Sequence, residues 1–293
     1  MTAGWILVLL ASLQDGDSPG KAVIDNLKKN RNGDYNTVVQ VQEGKSKLLV
    51  VKGHFDEVQK VLDGLKFKYD LIEFKDLASK DLTEYLAVFV NCYGEAVPQA
   101  GPGAAAAPTK VPDDIRAKIR RYVDDGGHLF SSDWAVALTE AAFPEYIKRK
   151  GNSGDANENI PVHAPNFDDR HPFLKDVFNV SKKVRKAEWM IERRSLTFEV
   201  NPSSMDKVKV LLVSEELNTK YGSQLVAVTF ATKGGSLIST GRGKPKKQPG
   251  AVLHVIGHFY QQGLGNKDDE EVARMYQMIV NFIVEAKKAQ TPR

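Results

Sequence analysis

Cys92 is the single cysteine of the 293-residue chain, and it stands directly after the apolar run Leu86–Val90 and Asn91. A thiol attacks only as the thiolate, so it needs a base, a cation or a helix N-terminus beside it. His258, closing the last apolar run AVLHVIGHF, is the candidate base. Asp133 follows another apolar run, HLFSS, and Glu95 follows Gly94 on the loop beyond Cys92; a carboxylate at either place could act as nucleophile or general base. Cys92, Asp133, His258 and Glu95 are therefore the candidate catalytic residues. Their neighbours Asn91, Ser131, Ser132 and Trp134 are the candidate ligand contacts. Plainer roles compete with these. Free cysteine usually fills space as a small apolar residue, and Ser132 or Asp133 could simply cap a helix beginning at Trp134.

Other chemistry is weaker. On an extended strand His254 and His258 share a face but stand about 13 Å apart at about 3.3 Å per residue, too far for one ion. A single cysteine excludes any multi-cysteine zinc or iron–sulfur site and any internal disulfide. No metal and no cofactor is expected. His171 before Pro172 reads as a turn former. Arg242, Lys244, Lys246 and Lys247 crowd a Pro- and Gly-rich loop, within residues 241–250, that lacks the spacing of a phosphate-binding loop and reads as a solvated hairpin tip.

The elements that would position these residues follow from periodicity. LAVFV reads as a buried strand. The segment DDIRAKIRRYVDD puts Ile115, Ile119, Tyr122 and Val123 on one face of a helix that Gly126 and Gly127 stop. HLFSS then reads as the next strand, with a helix after it. This is a β-α-β unit of a parallel sheet, in which ligands sit beyond the carboxyl ends of the strands. Upstream, KLLVV, a helix from Phe55 to Leu65 and YDLIEF continue the alternation. Lys21–Lys29 reads as a helix and Thr37–Gln42 as a strand. EWMIERRSLTFEV, VKVLLVS, LVAVTFATKGGSLIS and AVLHVIGHF are closely spaced and suit an antiparallel extension of the sheet. A final helix spans Asp268 to Lys288. The loop Tyr93–Pro112, with AGPGAAAAP at its centre, is either a lid or a tolerated insertion.

Composition sets the outer bounds. Forty-two per cent hydrophobic residues can bury one large core. The net charge of +4 is a small difference between 41 basic and 37 acidic residues, so nucleic acid is not an expected partner. WILVLLASL, residues 5–13, is too short to span a membrane. As a buried first strand it implies a cytoplasmic protein; as the remnant of a signal peptide it implies the cell envelope or export. The chain divides into an N-terminal segment, 1–44, and an α/β domain with its antiparallel extension, 45–293.

Four motifs, in order, resemble those of the class I glutamine-amidotransferase-like superfamily, and within it the ThuA-like branch: YLAVFVNCYGE, YVDDGGHLFSSDWA, DRHPFLKDVF and PGAVLHVIGHF. Together they cover about Lys47 to Tyr260. The resemblance implies a flavodoxin-like fold. In glutamine amidotransferases the strand after the crossover helix ends in a glycine-flanked nucleophilic cysteine, activated by a distant histidine that a carboxylate orients. Here that turn reads Ser131-Ser132-Asp133-Trp134, so glutaminase activity is disfavoured. Two functions stay open. One is a non-catalytic or catalytically altered domain that binds a small molecule or protein partner at the carboxyl edge of its sheet, with a homo-oligomer allowed. The other is a hydrolase using Cys92 or Asp133 with His258 and Glu95.

Overall fold

The computed structural model describes residues 18–93, 110–180, 183–232, 250–259 and 269–290. Strands β1 (Lys47–Val51), β2 (Asp70–Ile72), β3 (Tyr85–Val90), β4 (His128–Ser132), β9 (Val208–Val213), β10 (Leu225–Ala231) and β11 (Ala251–Val255) form one sheet in the order β2-β1-β3-β4-β11-β10-β9. β2, β1, β3, β4 and β11 are mutually parallel. β10 runs antiparallel to both its neighbours. β3 and β4 lie in register with Phe89 opposite Phe130 and Val90 opposite Ser131, so their carboxyl ends open side by side. Every residue of β3, β4 and β11 is buried, which explains their continuous apolar reading. The fold is the expected flavodoxin-like α/β arrangement with an antiparallel extension.

Helices cover the sheet. α4 (Asp113–Asp124) buries Ile115, Ile119, Tyr122 and Val123 as its spacing predicts. Gly126 stops it at φ +98°, and a Cβ on Gly127 would lie 2.3 Å from the Tyr122 ring. α7 (Asp269–Gln290) buries Val272, Met275, Tyr276, Ile279, Phe282 and Ile283, with the Phe282 ring edge-on to Phe89 and Phe173. α1 (Pro19–Asn30) packs on α7, and Arg31, only 7% exposed, ties the two through Asn281 Oδ1 at 2.8 Å. α3 (Val58–Gly64), α5 (Val136–Ala142) and α6 (Glu215–Tyr221) are further described helices.

Several expectations need correction. Thr37–Gln42 is not a strand but the second half of α2 (Asn32–Gln42): Asp34, Val38 and Val41 are buried at helical spacing, a pattern that a short window of alternating valines conceals. α3 starts at Val58 rather than Phe55, and Phe55 is 52% exposed instead of inward. EWMIERRSLTFEV is two strands, β7 (Ala187–Ile191) and β8 (Leu196–Val200), broken at Arg194, whose φ is +62°. They leave the main sheet and pair with β6 (Glu158–Val162) and β5 (Ile147–Asn152) respectively. AVLHVIGHF does not belong wholly to the antiparallel extension: β11 lies between β4, to which it is parallel, and β10, to which it is antiparallel. Residues 5–13, Glu95, the centre of the 93–112 loop and Arg242, Lys244, Lys246 and Lys247 lie outside the described residues.

Candidate functional site

The chain brings Cys92, Asp133 and His258 together at the carboxyl ends of β3, β4 and β11. After Ser132 the backbone turns left-handed at Asp133, with φ +46°, a conformation that costs a non-glycine residue about 1–3 kcal/mol. This turn directs the Asp133 carboxylate back toward the sheet. Its Oδ1 accepts the Leu196 amide at 3.1 Å. Its Oδ2 lies 3.0 Å from His258 Nε2 and 3.6 Å from Cys92 Sγ. Ser132 and Asp133 make no capping hydrogen bond to the turn that follows, so the capping role does not hold.

His258 reaches the cluster because β11 ends at Val255 and Gly257 turns the chain at φ +86°. It therefore does not continue the strand face that carries His254. On its other side His258 Nδ1 is 3.3 Å from Glu192 Oε1, and the His258 amide donates to Glu192 Oε2 at 3.2 Å. The imidazole thus stands between two carboxylates. All of these groups are sealed: Cys92 is 1% exposed, Asp133 2%, His258 4% and Glu192 5%.

Burial dictates the protonation states. It pushes the Cys92 thiol up to about 12, the neighbouring Asp133 charge adds to the rise, and hydrogen bonding to His258 only partly opposes it. Burial alone would depress the His258 imidazole, but hydrogen bonds to Asp133 and Cys92 outweigh it and drive the shift upward. Burial raises Glu192 to about 8 against the opposing charge of His258. At neutral pH the cluster therefore holds a neutral thiol and an imidazolium, the opposite of a thiolate poised to attack.

The remaining candidates are occupied elsewhere. Asn91, fully buried, accepts from the Val58 amide at 2.8 Å and donates to Val51 O at 3.1 Å and Gln59 Oε1 at 3.0 Å, locking β1, β3 and α3 together. Ser131 Oγ meets His254 Nδ1 and Thr139 Oγ1, each at 2.9 Å. Ser132 Oγ donates to Asp56 Oδ2 at 2.9 Å, and the same oxygen accepts the Phe259 amide at 3.1 Å. His171 accepts from the Phe173 amide at the turn it was expected to form. Asp56 and Glu192 were missed by sequence reasoning. Asp56 follows β1 at a carboxyl end, a position rule that could have flagged it. Glu192 sits in the charged string ERR, inside a segment that reads as a single strand.

Trp134 lies at the surface of the same edge, half-buried, its Nε1 donating to Arg194 O at 2.9 Å. Its ring lies 6.3 Å from that of Phe55, His54 lies 5.6 Å from Tyr93, and Tyr93 stacks on Phe74 at 3.9 Å. Beside them a shallow apolar cleft is lined by Phe74, Val90, Tyr93, Val111, Trp134 and Leu138, among others. Cys92, Asp133 and His258 do not line it. A rim of aromatic rings therefore overlies a sealed polar cluster.

No protein-family model and no curated protein matches the chain. Solved structures do. PurLQS from Thermotoga maritima superposes with a TM-score of 0.51 at 14% identity, over 81% of this chain and 98% of that one. A glutamine amidotransferase from Methylobacillus flagellatus gives 0.49 at 9% identity, over 85% and 96%. A ThuA-like protein from Bacteroides uniformis gives 0.48 at 12% identity, over 80% and 91%. At these identities the likeness is one of fold: this chain has the glutamine-amidotransferase-like α/β fold that its motifs resemble.

Proposed function

We propose that this is an amidotransferase-like domain whose nucleophile turn has been turned inward, and that it binds a small ring-bearing ligand at the aromatic rim of its sheet's carboxyl edge. One observation carries the reading: Asp133, at the turn where amidotransferases hold their cysteine, spends its carboxylate on His258 and the Leu196 amide beneath the surface. His258, with Glu192 on its far side, stabilises a buried charge pair with Asp133. Among the described residues, the side chains exposed at that edge include aromatic rings. Exposed Phe55, half-buried Trp134 and the cleft beside Tyr93 offer faces for stacking one ring, with Arg194 O already fixing the indole. The cleft beside Tyr93 is too small to enclose a ring, so a ring would lie across the rim against Phe55 and Trp134.

Calorimetric titration with phenol, indole and phenyl glycosides tests this. Saturable binding that Phe55→Ala and Trp134→Ala both abolish supports it. Binding unaffected by both substitutions contradicts it.

A second reading has its own support. A carboxylate at a positive-φ turn, an imidazolium within 3.0 Å and a carboxylate on its far side also describe nucleophile, general acid and orienter. A hydrolase would then use Asp133 as the attacking group. Release of phenol from phenyl esters or glycosides, lost in Asp133→Asn, would favour it over pure binding.

A further inference from the structure

Beyond the turn at Gly257, His258 meets a thiol and a carboxylate at the ends of the neighbouring strands. Cys92 Sγ, an Asp133 carboxylate oxygen and a His258 ring nitrogen all lie within 4.8 Å of one another. The separations are those of a tetrahedron's edges. Zinc bonds of about 2.3 Å to sulfur and about 2.1 Å to nitrogen or oxygen place S and O about 3.6 Å apart, and N and O about 3.4 Å apart. Sγ to Asp133 Oδ2 is 3.6 Å, and His258 Nε2 to the same oxygen is 3.0 Å. A shift of a few tenths of an ångström at the imidazole would admit the ion.

The groups behind these donors are arranged as metal ligands require. Histidine ligands ordinarily turn their second ring nitrogen to a carboxylate, which fixes the ring and raises its basicity. Glu192 holds that place, 3.3 Å from His258 Nδ1, and also receives the His258 amide. The Leu196 amide engages Asp133 Oδ1 and leaves Oδ2 facing the cluster. The left-handed turn at Asp133 and the glycine turn before His258 are what aim both donors at Cys92. A thiolate and a carboxylate together balance the charge of a divalent ion in a site with almost no exposure to water.

The geometry points to a zinc site formed by Cys92, Asp133 and His258 with Glu192 behind the histidine, clasping the carboxyl ends of β3, β4 and β11. It goes beyond the ligand-binding reading, because the donors lie beneath the aromatic rim and not in the cleft. Such burial means that the ion enters as the chain folds. It exchanges with the thiol and imidazolium protons, binding Cys92 as thiolate and His258 as neutral imidazole.

Cobalt(II), which takes zinc sites and absorbs in the near ultraviolet when bound by thiolate, reads the proposal out directly. The chain has one cysteine, so any such band belongs to Cys92. The full chain expressed in cobalt-supplemented medium should carry about one cobalt per chain and show the band. His258→Gln should lose it. Should His258→Gln fail to fold, judged by circular dichroism, Glu192→Gln should still fold and bind cobalt about 10- to 100-fold more weakly. A folded chain without the band, or an unchanged affinity in the folded variant, overturns the site. Phe55→Ala leaves all four residues in place, so a failure of ring binding does not touch this result.

Discussion

His258 Nε2 lies 3.0 Å from Asp133 Oδ2, joining the turn beyond β11 to the turn beyond β4. Both residues are buried, so the pair cannot be broken without stranding a charge. Removing one partner of such a pair costs about 3–5 kcal/mol. Asp133→Asn should lower stability by that order in urea denaturation. A variant as stable as the parent would mean that the pair contributes nothing to the fold.

Gly250 tests the packing of β11 against α4. A Cβ there would lie 1.9 Å from Gly127 O and 2.5 Å from Val123 O, both backbone atoms that cannot swing aside. Gly250→Ala should destabilise the chain by at least about 1–3 kcal/mol through overpacking, measured as a lower thermal midpoint. Tolerance of the methyl group would show that this approach is looser than described.

Phe55 should behave in the opposite way. Its ring is half exposed and belongs to the rim, so Phe55→Ala is expected to change stability by no more than about 0.5 kcal/mol while abolishing ring binding. Paired denaturation and calorimetry separate the two effects; a large stability loss would reassign Phe55 to the core.

Three other histidines set a pH response. Burial pushes His128 and His171 down to about 4 and His254 to about 3, from an ordinary value of 6.5. The unfolded chain therefore takes up these protons first as pH falls. Stability should be fully present above about pH 6.5 and drain away toward pH 4, by about 2–3 kcal/mol per residue. Glu192, raised to about 8, works in the opposite direction over part of that window, so the test is a comparison: His128→Gln should lose less stability than the parent between pH 6.5 and pH 4. Equal losses in variant and parent would contradict neutral burial of His128.

Much of the sheet was legible because its strands are buried on both faces and so read as unbroken apolar runs. LAVFV and HLFSS pair in parallel as expected, whereas AVLHV, expected in the antiparallel extension, also pairs in parallel with β4. α4 was equally plain, since one face of DDIRAKIRRYVDD is apolar and the other charged. Thr37–Gln42 misled because VVQV alternates over too few residues to separate strand from helix, and the decisive Asp34 and Arg31 are polar residues buried by pairing with each other at 2.7 Å. For the site, Cys92, Asp133 and His258 come together because each closely follows a readable strand. Glu192 was not legible, since only the break between β7 and β8 at Arg194 brings it inward, and nothing in ERR announces that break. The state of Cys92 was also invisible in the sequence: it depends on Asp133 and His258 closing over it.

The rate at which iodoacetamide alkylates Cys92 in the native chain, compared with the same chain in denaturant, tests the central claim that this cluster is sealed and holds no free thiolate. The native rate should be at least about a hundredfold slower, because burial holds the thiol up to about 12. A native rate equal to or faster than that of the unfolded chain would mean that Cys92 is an exposed, activated nucleophile, and the reading of this edge as a binding surface over a closed polar cluster would fail.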